Sequence, residues 1–141
     1  MKYLVDTNIL SEARRPKGHA AIRETLSAID ENSLYLSVIT IGEIAHGVAR
    51  LDVGKRRREL EVWLGQIARH FSDRVLPIDE PIARLWGEIT AASAKAGRTL
   101  HTADGLIAAT ALRHGLHLLT RNKADFEQTG VVVSDPLDAA Q

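Results

Sequence analysis

Lys2-Tyr3-Leu4-Val5-Asp6-Thr7-Asn8-Ile9-Leu10-Ser11-Glu12 opens with a short apolar run that ends in a carboxylate. Tyr3 to Val5 favour β structure, so the stretch reads as a buried strand that stops at Asp6. In open parallel sheets, ligands bind outside the carboxyl ends of the strands. Asp6 therefore stands at a candidate site. Asp, Thr and Asn also end strands and cap helices with no further role. The weight of Asp6 thus depends on how many other acids reach the same edge.

Working outward, Gly18 to Asn32 carries Ala21, Ile22, Thr25, Leu26 and Ile29 at helical spacing. Leu34 to Val38 reads as a second strand, and Thr40 to Leu51 as a helix with Ile41, Ile44, Ala45 and Val48 as its stripe. Lys55 to Phe71 is a strongly amphipathic helix, and Arg74 to Pro77 a short third strand. Asp79-Glu80-Pro81 starts a helix that runs to about Ala96, where Gly97 ends it. After a loop from Arg98 to Thr102, a helix over Ala103 to His114 is apolar nearly all round, which predicts burial against the sheet or against another subunit. His117 to Thr120 and Val131 to Val133 read as the fourth and fifth strands, joined by a polar loop from Arg121 to Gly130. The tail after Asp135-Pro136 is expected to be loose. Strands that alternate with helices argue α/β architecture, a mostly parallel sheet of about five strands covered on both faces. The chain of 141 residues is expected to form a single domain over residues 1–141.

Composition narrows the function classes. Hydrophobic residues make up 45% and charged residues 26%, as in ordinary globular proteins rather than disordered ones. There is no cysteine, which excludes disulfides and thiolate metal sites and is compatible with a reducing cytoplasm. No apolar run approaches a membrane span, and the N-terminus does not carry a secretory signal pattern, so a cytoplasmic location is expected. Lys plus Arg and Asp plus Glu both number 18, so no protein-wide basic field awaits a polyanion. Any nucleic acid must be held by local patches.

On this map the acids fall at one edge of a parallel sheet. Asp6 ends the first strand, Glu43 is expected in the first turn of the helix after the second, and Asp104 in the first turn of the buried helix. Asn122 and Asp125 follow the fourth strand. Each has a local alternative: Thr40-Ile41-Gly42-Glu43 fits a capping box, Thr102 can cap with Asp104 in the first turn, and Asn122 or Asp125 can make a turn. Jointly, converging carboxylates repel unless protons or a cation neutralise them. Mg2+ or Mn2+ is the natural counter-charge for an all-oxygen set. The chemistry that uses such a site is phosphodiester cleavage by metal-activated water, which needs no covalent nucleophile. Nucleophile-elbow, P-loop, dinucleotide and His-Glu-x-x-His patterns are all absent. His101 is the one histidine placed to reach the proposed edge. Arg14, Arg15, Arg121 and Lys123 follow the candidate residues and are expected to flank the pocket and hold backbone phosphates. Lys55 to Arg58, cations at a helix start, hint at an acidic partner.

Four segments in this order resemble the PIN-domain family, closest to VapC/FitB-type toxins: Val5 to Glu12, Leu36 to Glu43, Ala103 to Ala111, and Thr120-Arg121-Asn122. The likeness runs from residue 2 to about Pro136. It implies a three-layer α/β/α fold, a Mg2+- or Mn2+-dependent endoribonuclease, and a homodimer. It also implies an RNA substrate and a cognate antitoxin that inhibits the toxin and supplies DNA binding, so that DNA is reached only indirectly. The family's metal-binding acids fall on Asp6, Glu43 and Asp104, its small polar residue on Thr7, and its fourth acidic position on Asn122, an amide here. The departure at Asn122 bears on whether one or two ions bind. A catalytically inactive PIN-like nucleic-acid-binding or scaffold module is the rival; retention of Asp6, Glu43 and Asp104 weighs against it. A haloacid-dehalogenase-type phosphatase wants a second Asp where Asn8 stands.

Overall fold

Tyr3–Val5 (β1) lies at the centre of a five-stranded sheet in the computed structural model, which describes residues 1–138. The other strands are Leu34–Ser37 (β2), Val75–Leu76 (β3), His117–Leu119 (β4) and Val133–Ser134 (β5). Their order is β3-β2-β1-β4-β5, and every pairing is parallel. Tyr3 pairs with Leu34 on one side and His117 on the other. All strands therefore point their carboxyl ends to the same edge, as the alternation of strands and helices predicts.

The pleat sends alternate residues to opposite faces. Val5, Leu34, Leu36 and Leu119 face one layer of helices: Thr7–Arg14 (α1), Ala20–Ala28 (α2), Val38–Ala49 (α3) and Lys55–His70 (α4). Ile9, Ile22 and Ile44 fill that interface, and α4 leans on it through Leu60, Trp63, Leu64 and Ile67. Leu4 and Leu118 face the other layer, built by Thr102–His114 (α6), with Glu80–Lys95 (α5) outside it. The nearly all-round apolar character of α6 now has its cause. Ile107, Ala108 and Ala111 pack on the sheet, while Ala109 packs against Ile82 and Ile89 of α5. Burying Ile107 completely contributes about 2–3 kcal/mol. The close approach of α5 requires Gly105, since a Cβ there would lie 2.8 Å from Cδ1 of Trp86.

Local structure departs from the sequence expectation in six places. The helix α1 was not anticipated: Asp6 both ends β1 and caps α1, its side chain accepting from the Thr7 amide. The expected helix over residues 18–32 is shorter, and Glu31–Ser33 forms a separate 3-10 turn. The helix α3 begins at Val38, because Ser37, not Thr40, supplies the cap: its hydroxyl accepts from the Ile39 amide at 3.0 Å. Thr40 is buried inside the helix with no partner for its hydroxyl. The fifth strand sits two residues later than expected. The loop from Arg121 to Gly130 contains a 3-10 turn, Lys123–Phe126, whose Phe126 is buried against α6. Residues 135–138 make a turn closed by Asp135, and Leu137 packs on the core; the rest of the tail expected to be loose, 139–141, lies outside the described residues.

Arg74, just before β3, is a structural cation rather than a site residue. Its buried guanidinium donates to the carbonyls of Glu31, Leu34 (2.7 Å) and His70 (2.9 Å) and stacks on Phe71. That ties the start of β2 to the end of α4.

Candidate active site

Asp6, Glu43, Asp104 and Asn122 line one pocket at the carboxyl edge of the sheet, together with Thr7, Asn8, Ser11, Glu12 and Arg15. Four chain segments supply it: the β1–α1 junction, α3, the first turn of α6 and the loop after β4. Of the acids expected at this edge, the structure brings Asp6, Glu43 and Asp104 into one pocket and leaves Asp125 outside its lining.

Asp6 is the most constrained of them. Its Oδ1 accepts from the Thr7 amide at 2.8 Å, and its Oδ2 from the Thr120 hydroxyl at 2.8 Å and the Asn8 amide at 3.3 Å. Thr120 is the hub of this network. Its hydroxyl also accepts from Asn8 Nδ2 (3.2 Å) and from the Asn122 amide (3.1 Å), while Asn8 Oδ1 accepts from the Arg121 amide. Burial pushes the Asp6 carboxyl up from its ordinary 3.8; the Thr120 hydrogen bond and the Thr7 amide pull it down, and the charges of Glu43 and Asp125 push it up again.

Glu43 reaches the pocket from the second turn of α3, since the helix starts earlier than a Thr40 cap would set it. Its Oε1 accepts from the Thr7 hydroxyl at 2.7 Å. Asp104, half-buried, is pushed from 3.8 to about 6, first by burial and then by Asp6, Asp125 and Glu43, with His101 opposing. The Thr102 cap expected for its helix does not form: His101 occupies that position without a side-chain bond. Asn122 lines the pocket in the place of a fourth acid. Asp125 is felt electrostatically by Asp6 and Asp104, but it lines a neighbouring recess with His101.

The donor set suits a hard divalent cation. Carboxylate, amide and hydroxyl oxygens are present, with neither sulfur nor imidazole in the pocket. The carboxylates are not drawn into a closed cluster: among the described residues no group of three or more His, Cys, Asp or Glu is close enough to hold an ion as it stands. Glu43 is held by its bond from Thr7, and the acids are near enough to raise one another's affinity for protons.

The flanking cations divide. Arg15 lines the pocket. Arg14 stacks over Trp63 with its guanidinium 5.5 Å from the ring centroid. Arg121 turns to Asp135 at 3.6 Å, and Lys123 begins a 3-10 turn away from the pocket lining. Lys55 and Arg57 find Glu59 and Glu61 one turn on, which offsets their unfavourable place at a helix start. Sequence reading anticipated Arg15 but missed Asn8 and Thr120 as supports of Asp6, and Ser11 and Glu12 as lining residues. The missing signal was α1: once Thr7 to Arg14 is helical, residues 7, 8, 11, 12 and 15 share a face by their spacing.

Comparison with known proteins agrees with this geometry. The chain matches the PIN domain model over residues 3–132. It is 38% identical to "Toxin FitB" of Neisseria gonorrhoeae over 134 residues, covering 94% of this chain and 96% of that protein. It is 34% identical to "VapC ribonuclease Y4jK" of Sinorhizobium fredii over 138 residues, covering 97% and 99%. The crystal structure of FitAcB from Neisseria gonorrhoeae superposes with a TM-score of 0.89 at 38% identity, covering 96% of this chain and 98% of that one. The chain belongs to the PIN-domain family.

Proposed function

We infer that this protein is a metal-dependent endoribonuclease and the toxin of a toxin–antitoxin pair. The observation that carries the reading is the opening of Asp6, Glu43 and Asp104 into one oxygen-lined pocket at the carboxyl edge of a parallel sheet. The relatives named a toxin and a ribonuclease support it across nearly the whole chain. The reading takes residues 1–141 as one nuclease unit, working in the cytoplasm as a homodimer. Its partners are an RNA substrate and a cognate antitoxin, through which alone it meets DNA. No helix among the described residues is long and apolar enough to cross a membrane.

Asp6, Glu43 and Asp104 would hold Mg2+ or Mn2+, with the Asn122 amide oxygen available at the fourth position. When bound, the ion supplies an acidified water and stabilises charge on the phosphate. The chain's own residues set that chemistry up. Thr120 and Asn8 fix the Asp6 carboxylate, and Thr7 aims Glu43 across the pocket. The Asp104 carboxyl, raised to about 6, keeps its proton only in mildly acidic solution, so metal binding there competes with protonation as pH falls. Arg15 offers a cation to a backbone phosphate at the rim.

The test is cleavage of single-stranded RNA by purified, antitoxin-free protein with Mn2+ and with EDTA. Activity with the ion and silence in the chelator are expected. Full activity in EDTA sinks the metal mechanism, and no cleavage of any RNA with the ion sinks the nuclease reading.

A further inference from the structure

A second recess opens on the far side of Asp104. Its walls include Arg98, Thr99, His101 and Gln128, and it shares Asp104 and Asp125 with the electrostatics of the acid pocket. Arg98 lies in the loop between α5 and α6. Its guanidinium meets Glu127 at 3.5 Å, with both side chains more than half exposed. Such a pair contributes little and exchanges readily for a phosphate.

The molecule carries no net charge, so any grip on a polyanion must be local. The acid pocket itself repels phosphate except at its rim. A strand cut beside Asp104 continues for at least one nucleotide on either side, and this recess shares the Asp104 wall. We propose that the recess is a nucleotide subsite for single-stranded RNA, occupied by the residue next to the scissile phosphate. Arg98 holds that nucleotide's phosphate. The exposed His101 ring offers a stacking face, and the Gln128 amide can pair with a base edge. Asp104 and Asp125 direct the anionic end of the nucleotide to the Arg98 wall and leave their own side to sugar hydroxyls and base amino groups. The inference rests on the ribonuclease reading.

The experiment uses the full chain with a short fluorescent single-stranded RNA. Binding is followed by anisotropy in EDTA and cleavage with Mn2+, over a series of salt concentrations. Arg98→Ala should raise KM about five- to tenfold with kcat nearly unchanged, because it removes contact made equally in ground and transition states. Its log–log salt slope should be shallower by roughly 0.7, the loss of one phosphate contact on a single strand. Arg98→Lys should restore most of that slope. Gln128→Ala should leave the slope alone and relax base preference at one position about fivefold. Arg84→Ala, an exposed arginine of α5 paired with Glu80, is the control and should change none of these. Cleavage whose KM, salt slope and base preference ignore both Arg98→Ala and Gln128→Ala overturns the subsite and leaves the nuclease intact. RNA binding weakened by Arg98→Ala in a protein that never cuts keeps Arg98 as an RNA contact but overturns the nuclease reading and with it the place beside a scissile phosphate.

Discussion

Thr7 and Glu43, 36 residues apart in sequence, are joined across the pocket by a 2.7 Å hydrogen bond from the threonine hydroxyl to Oε1 of the glutamate. This bond links the first turn of α1 to α3 and fixes the orientation of the Glu43 carboxylate. Thr7→Val should therefore lower kcat about tenfold while costing only about 1 kcal/mol in stability, and Thr7→Ser should behave as the native protein. Cleavage assays on both variants check it; a fully active Thr7→Val would remove Glu43 positioning from the mechanism.

Thr120 predicts a different pattern. Its hydroxyl donates to buried Asp6 and accepts from Asn8 and the Asn122 amide. Thr120→Val should cost about 2–3 kcal/mol, because buried polar groups lose their partner. It should also drive the Asp6 carboxyl higher, since the Thr120 bond opposes the upward push of burial. The pH at which metal binding is half-maximal then rises. A denaturant melt together with Mn2+ titrations across pH reads both effects; an unchanged binding profile would mean that Thr120 serves the fold alone.

Asp104 sets the pH dependence of the metal-free protein. Its carboxyl is raised from 3.8 to about 6, so the folded state retains a proton that the unfolded chain has released. Metal-free stability therefore falls as pH rises through that window and stays reduced at neutral pH. Asp104→Asn should raise the metal-free Tm near pH 7 and flatten the profile between 4 and 7. Native protein at ten times the metal's Kd should gain about 1.4 kcal/mol, roughly 3–8 °C, and the variant should lose most of that gain. A lower metal-free Tm with an unchanged metal response would instead assign Asp104 a capping role.

The start of α3 separates two hydroxyls that look equivalent in sequence. Ser37 caps the helix, and Thr40 is buried without a partner. Ser37→Ala should cost about 1 kcal/mol. Thr40→Val should be neutral or stabilising, since it removes an unpaired buried polar group. Thermal melts of the two variants, with the opposite order as the refuting result, decide it.

Much of this was legible in the residues. The apolar runs that end at Asp6 and at Ser37, and the all-round apolar helix before Gly115, gave a parallel sheet with buried neighbours. The three acids were legible because each follows such a run or opens such a helix. What escaped was set by local competition. Asp6 reads as a strand end, and an eight-residue helix that follows immediately has too few turns to display a stripe. Ser37 and Thr40 both suit a cap, and the decision came from tertiary packing, which buries Thr40. Thr120 was named only within a motif, because its role as a hub depends on partners at residues 6, 8 and 122, which no local pattern connects.

The central place of β1 has a consequence for synthesis. One of its edges is covered by β2 soon after translation begins, but the other waits for β4, and Asp6 waits for Thr120, 114 residues later. Until the ribosome has delivered that strand, the first acid has no hydroxyl to fix it, and α6 has no completed sheet to bring Asp104 alongside. The acid pocket is accordingly incomplete for as long as that strand is missing. The site is assembled only when the last third of the polypeptide folds onto the first.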